Sequence, residues 1–354
     1  MRSKLADFYN ETREAGKIIV VDLGYLGDSI HLLPALAEIK RNYPKAQLHV
    51  ASAPVGSELL AMAPCVDRTW PLARSPRGTP WREQWRWIGS VRRQRFDVAF
   101  NFSGTDRSVF LSYLTGARWR VAFAGGRRHF WNSWLIPHWI PRLDRSVPVA
   151  EQRRQVLAAC GLSLAPLRYE LKIPAWAAAW AEETVPIGAI HLSINAGHAL
   201  KEWPLDSWIT LGRELLRLNP GACLVATGSR SAHERERVLE FAKAVDRERV
   251  QTYPGNLALA QLAALLARCR LHIGADSGAL HLAGVQGVPT VSIFREYAGL
   301  GEWLPRGPQH RSVVAPCRCV NQKVQPCAAL AVPECLAGIE VDQVLALARE
   351  LINV

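Results

Sequence analysis

The sequence predicts an α/β protein built from two parallel-sheet arrays in tandem, and three observations carry that prediction. Apolar runs of strand length alternate with amphipathic spans at helical spacing along most of the chain. Two strand-to-helix turns, Gly24–Asp28 and Asp276–Gly278, set glycine and a carboxylate at the mouth of a helix. Between the arrays, Leu164–Pro186 mixes proline with alternating charge, the texture of a domain seam. At 354 residues the chain is long enough for two domains of ordinary size.

In the first array, residues 1–16 read as a polar leader or short helix. Lys17–Leu23 (KIIVVDL) is a buried strand, and Ser29–Arg41 shows helical spacing through Ile30, Leu33, Leu36, Ala37 and Ile39. Gln47–Ala53 is the second strand, Val55–Met62 a short helix and Val66–Leu72 a third strand. The composition then shifts. Arg74–Arg95 is arginine-rich and carries Trp81, Trp85 and Trp87, and Arg118–Arg145 repeats the mixture with Trp119, Trp131, Trp134 and Trp139. Between them lie the strand Phe96–Phe102, the polar loop Ser103–Arg107 and the helical Ser108–Leu114.

An alanine–tryptophan helix, Ala175–Ala181, sits in the seam, and the second array starts at Ile187. Its strands are Ala189–Ile194, Cys223–Thr227, Leu271–Ala275 and Thr290–Phe294. Amphipathic helices fill the intervals at Leu205–Leu218, Ala232–Val245 and Ala258–Ala267, with a small-residue helix at Ala279–Val285 and a final amphipathic helix at Val341–Ile352.

The turn Asp276-Ser277-Gly278 follows one strand and opens the next helix, so free N–H groups and a positive dipole end point beyond the sheet edge. Gly278 admits a close ligand and Ser277 adds a hydroxyl donor; the natural guest is a phosphate. The plainer alternative makes Asp276 or Ser277 an ordinary N-cap and the glycines packing devices. Asp28 stands at the matching edge of the first array, where a carboxylate can act as general base for a hydroxyl nucleophile. Lys201, in the loop Asn195–Pro204, can stabilise charge on a departing diphosphate; its plainer alternative is an exposed loop lysine.

Three segments resemble one family. Gly27-Asp28-Ser29-Ile30-His31-Leu32-Leu33-Pro34-Ala35-Leu36 resembles the first-helix motif of bacterial heptosyltransferases, glycosyltransferase family nine. Lys201-Glu202-Trp203-Pro204 is similar to the family's lysine loop, and Asp276-Ser277-Gly278-Ala279-Leu280-His281-Leu282-Ala283 to its donor-binding D-[ST]-G-x-x-H motif. The matches occur in family order and the likeness runs from about Ile18 to the end.

The resemblance implies a GT-B fold of two Rossmann-like domains facing each other across a cleft. The boundaries are then 1–175 for an acceptor-binding domain, 186–338 for a nucleotide-sugar domain, and 339–354 for a helix returning to the first domain. It also implies inverting transfer of heptose from ADP-heptose to the lipopolysaccharide inner core, with no metal required. By that likeness Asp28 is the base, Lys201 contacts the donor phosphates, and Asp276, Ser277, Gly278 and His281 line the donor site. The family's ribose-binding glutamate is matched by Glu234, with Glu236 the second choice. Gly24-Tyr25-Leu26 departs from the family, which often has small polar or basic residues before the Gly-Asp pair. Alternative readings keep the fold but change the acceptor to a protein or capsular glycan, or change the nucleotide sugar. A further class is a non-catalytic basic protein that binds membrane or nucleic acid.

A formal charge of +12 and an isoelectric point near 9.6 direct attention to anionic partners. The N-terminal segment has no apolar core of a signal peptide, and no apolar run reaches membrane-span length. The expectation is a cytoplasmic protein, associated peripherally with the cytoplasmic face of the inner membrane. The Arg/Trp-rich segments fit an amphiphilic, phosphorylated acceptor, because arginine pairs with phosphate and tryptophan favours the membrane interface. The plainer alternative is surface arginine with core tryptophan; single-stranded nucleic acid is a rival without an evident strand platform. Cys65, Cys160, Cys223 and Cys269 are expected to fill core space. Cys317, Cys319, Cys327 and Cys335 form C-x-C-x7-C-x7-C, compatible with a thiolate metal site or with plain thiols.

Overall fold

The computed structural model describes residues 5–73, 80–123, 132–140, 146–319 and 333–352. The chain divides into two compact units, Met1–Lys172 and Ile173–Val354. The first unit holds strands β1 (Lys17–Asp22), β2 (Gln47–Ser52), β3 (Arg68–Pro71), β4 (Val98–Asn101), β5 (Trp119–Phe123) and β6 (His138–Ile140). They form one sheet in the order β3-β2-β1-β4-β5-β6, every pairing parallel. The second holds β7 (Ala189–Ser193), β8 (Leu224–Gly228), β9 (Val250–Pro254), β10 (Cys269–Ala275), β11 (Thr290–Arg295) and β12 (His310–Ala315). Their order is β12-β11-β10-β7-β8-β9, again parallel throughout. In each sheet the order reverses beside its first strand, the switch point at which open α/β sheets bind ligands beyond the strands' carboxyl ends.

The central strands follow from composition. β1 buries five consecutive residues and β10 is buried along nearly its whole length, as strands covered by helices on both faces must be. The helices Leu205–Leu218, Ala232–Val245 and Val341–Ile352 have the bounds their periodicity predicts. Of the two readings of the leader the short helix holds, at Phe8–Thr12; Phe8 is fully buried and meets Phe100 edge-on at 5.8 Å, so this segment belongs to the first core.

Ala175–Thr184 packs on Leu259–Arg268 and belongs to the second unit. The final helix is grouped with the second unit. Its apolar stripe of Val344, Leu345 and Ala348 joins that core beside Leu211 and Leu215. The arginine–tryptophan segments divide between both readings. Trp87 and Trp119 pack on core clusters, whereas Trp81, Trp85 and Trp134 are exposed; Trp131 lies outside the described residues.

At the centre of the second sheet, His191 of β7 and His272 of β10 stack with their Nδ1 atoms 2.7 Å apart, and His191 Nε2 lies 2.9 Å from the Thr227 hydroxyl. Both are fully buried. Gly274 leaves the room, since a Cβ there would lie 2.4 Å from His272 Nε2. Burial lowers His191 from 6.5 to about 3 and His272 well below its ordinary value. The folded protein therefore binds fewer protons here than the unfolded chain. Stability is full above pH 6.5 and is lost as pH falls from there toward 3. His191 alone should withdraw about 2 kcal/mol by pH 5. Urea unfolding at pH 7 and pH 5 should show this loss, and His191→Leu/His272→Leu should remove it; an unchanged pH slope in that variant would reject the assignment.

Candidate active site

In the first unit, β1 ends at Asp22 and the helix Leu26–Asn42 begins four residues later, which puts Asp28 in its first turn. Asp28 Oδ2 accepts the Tyr25 N–H at 2.8 Å, a carboxylate satisfying a free donor at a helix start. The turn is shaped for it: a Cβ on Gly24 would lie 2.3 Å from the Asp28 Cβ. Tyr25, the departure from the family pattern, points outward with 69% of its surface exposed.

A buried arginine completes this half. Arg153 Nη2 is 2.7 Å from Asp22 Oδ2 and 3.5 Å from Asp28 Oδ1, while its Nη1 donates to the Asp28 carbonyl. Asp22 also accepts the Gly24 N–H at 2.9 Å. Burial, with help from the Asp28 charge, holds the Asp22 carboxyl above its ordinary value; the Arg153 charge and the Gly24 N–H offset this only in part. Asp28 keeps 26% of its side chain accessible, so a fixed carboxylate remains open to an incoming hydroxyl.

In the second unit three predicted donor residues converge. Lys201, in a short 3-10 turn, places Nζ 2.6 Å from Asp276 Oδ2, and His281 Nε2 lies 3.9 Å from Asp276 Oδ1. Burial alone would raise the Asp276 carboxyl; hydrogen bonding and charge from His281 and Lys201 outweigh it and hold it below the ordinary value. The lysine is thus not a free loop residue. Its loop is pinned by fully buried Trp203, whose Nε1 donates to the Ile339 carbonyl at 3.2 Å.

Ser277 is the N-cap of Gly278–Val285, but its hydroxyl does not cap the helix; it lies 3.1 Å from the Ser193 hydroxyl at the end of β7. The helix's first N–H groups stay available for an anion. Glu234 has a structural bond already, accepting the Ser229 N–H on Oε2 at 2.7 Å, and is half-buried where Glu236 is exposed.

Several contributors were not singled out in the sequence. Tyr297, just past β11, has its hydroxyl 3.5 Å from Asp276 Oδ2 and its ring 5.6 Å beneath Lys201 Nζ. Burial and the Asp276 charge push its phenol well above the ordinary range. Buried Glu202 holds His233 Nε2 at 2.9 Å, tying the lysine loop to the helix Ala232–Val245. Arg153 and Asp22 likewise had no motif, although Arg153 shares a helix face with Val149, Val156 and Leu157, a charge on an apolar stripe.

Cys317, Cys319 and Cys335 gather around Leu200, next to Lys201, while Cys327 lies outside the described residues. Among the described residues no group of three or more ligating side chains has the geometry to hold a metal. Burial pushes the thiols of Cys160 and Cys269 up to about 12 and that of Cys65 to about 11, as for thiols that fill space.

Two α/β units, each with a charged site at the carboxyl edge of a parallel sheet, define a GT-B protein. A family model described as "Glycosyltransferase family 9 (heptosyltransferase)" matches residues 84–332. The chain belongs to that family. It is 28% identical over 289 residues to lipopolysaccharide heptosyltransferase 1 of Pseudomonas aeruginosa, covering 78% of each protein. It is 21% identical over 285 residues to the lipopolysaccharide core heptosyltransferase OpsX of Haemophilus influenzae, covering 80% of each. Its fold matches the solved structure of the Escherichia coli ADP-heptose lipopolysaccharide heptosyltransferase II with a TM-score of 0.75 at 19% identity, over 95% of this chain and 98% of that one.

Proposed function

We propose that this chain transfers heptose from ADP-heptose to a hydroxyl of the lipopolysaccharide inner core, with inversion, at the cytoplasmic face of the inner membrane. The observation that carries the reading is the 2.6 Å contact between Lys201 and Asp276, which brings two separate motifs of a heptosyltransferase family together at a helix N-terminus. Lysine has three donors, so Lys201 keeps two for phosphate oxygens after serving Asp276. The backbone N–H groups at Ser277 and Gly278 supply further donors. The free oxygen of Glu234 accepts a ribose hydroxyl.

In the reaction, an acceptor hydroxyl attacks the anomeric carbon of the donor while Asp28 takes the hydroxyl proton. The bond from that carbon to the diphosphate oxygen breaks with its electron pair, and ADP leaves. Charge growing on the diphosphate is met by Lys201 and the helix donors, arranged before the reaction begins. A single displacement inverts the anomeric centre. Asp276 and His281 hold Lys201 in place, and Tyr297 supports the same carboxylate. Tyr297→Phe should weaken ADP-heptose binding about three- to tenfold, the net worth of one hydrogen bond. Isothermal titration checks this, and an unchanged Kd would remove Tyr297 from the site.

The test of the function is incubation with ADP-heptose and a series of truncated lipopolysaccharide acceptors, followed by mass measurement. One acceptor truncation should gain the mass of one heptose. Transfer from a different nucleotide sugar, or only to a protein or capsular glycan, would overturn the reading.

A further inference from the structure

The helix Trp81–Arg92 takes no part in the chemistry above, yet it carries an unusual surface. Its inward side is short: Val91 is buried and Trp87 packs on the core cluster that includes Ile19, Val21 and Ala51 of β1 and β2. At 100° per residue, Trp81, Arg82, Trp85, Arg86 and Arg92, with Arg93 just beyond, fall within an outward arc of about 140°. Trp81 is 66% and Trp85 59% exposed. Gly89 opens the middle of the arc, where an added Cβ would meet nothing within 4 Å. The helix's one acid, Glu83, falls off the arc. Among the described residues none of these four arginines pairs with a carboxylate. The neighbouring helix Asp106–Leu114 exposes Phe110 and Tyr113 as well.

We infer that this helix face docks on an anionic lipid bilayer. Exposed tryptophans a helical turn apart are costly in water and suited to the bilayer interface, where the indole ring is half-immersed. Arginines on the same arc meet the phosphates of anionic headgroups, and a basic amphipathic helix lies in the plane of such a surface. Charge complementarity selects the occupant. A single-stranded nucleic acid would need a basic groove that tracks its backbone, whereas this is the surface of one helix. The inference deepens the functional reading and rests on it in one respect: a lipid-borne acceptor gives the docking its purpose.

The experiment uses the full chain with vesicles of phosphatidylethanolamine and phosphatidylglycerol, or of phosphatidylcholine alone, read by flotation at low and physiological salt. The protein should float with the anionic vesicles only, more strongly at low salt. Trp81→Ala/Trp85→Ala and Arg82→Gln/Arg86→Gln should each weaken binding by about tenfold or more. Both pairs are surface changes, and unaltered melting temperatures establish that they fold. Equal flotation of wild type and variants, equal flotation with neutral vesicles, or binding to an oligonucleotide in preference to vesicles would overturn the proposal. Absence of any heptose transfer by the wild type would fail the functional reading and leave the flotation result standing.

Discussion

Asp28→Asn should lower turnover by about 10²- to 10⁴-fold, the range lost when a general base is removed. The substitution keeps the shape of the side chain, and the amide oxygen can still accept the Tyr25 N–H that fixes the start of the helix Leu26–Asn42. What it removes is proton affinity. The residues proposed to bind the donor all lie in the second unit, so the Kd for ADP-heptose should stay within about twofold. This combination, a collapsed kcat with preserved donor affinity, marks an interaction made only in the transition state. Turnover within threefold of wild type would exclude Asp28 as the base. A parallel loss of donor affinity would assign it to binding.

Arg153→Met should destabilise the first unit by about 3–5 kcal/mol, because it leaves a buried carboxylate without its cation. Asp22 is 1% exposed, and the remaining donors to it are the Gly24 N–H and, more distantly, the Ser103 hydroxyl at 3.4 Å. Burial already holds the Asp22 carboxyl above its ordinary value; without the guanidinium it rises further, and Asp22 takes up a proton. For a unit of this size the apparent melting temperature should fall by about 10 °C. Activity should fall too, since the same guanidinium contacts both the side chain and the carbonyl of Asp28. Asp22→Asn in the Arg153→Met background should recover much of the stability, because the uncompensated charge is gone, but not the positioning of Asp28. Melting within 2 °C of wild type in the single variant would show that the pair carries no such weight.

What could be read from the sequence was whatever local pattern encodes. β1 and β10 were legible because strands covered on both faces are continuous apolar runs, and Leu205–Leu218 because its apolar residues recur at helical spacing. β5, β6, β9 and β12 were not anticipated. β9 and β12 lie at the sheet edges and are half-buried and polar (VQTYP and HRSVVA), so they carry no such run. β5 and β6 lie inside or beside an arginine–tryptophan stretch whose composition masks its periodicity.

The site divides the same way. Asp28, Lys201 and the Asp276 turn stand out because strand ends and helix starts are local signals. Arg153 and Tyr297 work through contacts far away in sequence, and no spacing rule connects them to Asp28 or Asp276. The histidine pair was hidden for the opposite reason: His191 and His272 each sit in an apolar strand and acquire meaning only when β7 and β10 align them in register.

The proposed reaction is a single displacement driven by a base at Asp28. The measurement that tests it most directly is the anomeric configuration of the product, read from the one-bond carbon–hydrogen coupling at the transferred sugar's anomeric centre. A configuration opposite to that of the donor is the predicted result. Retention would require two displacements or an internal return, and would contradict the role given to Asp28.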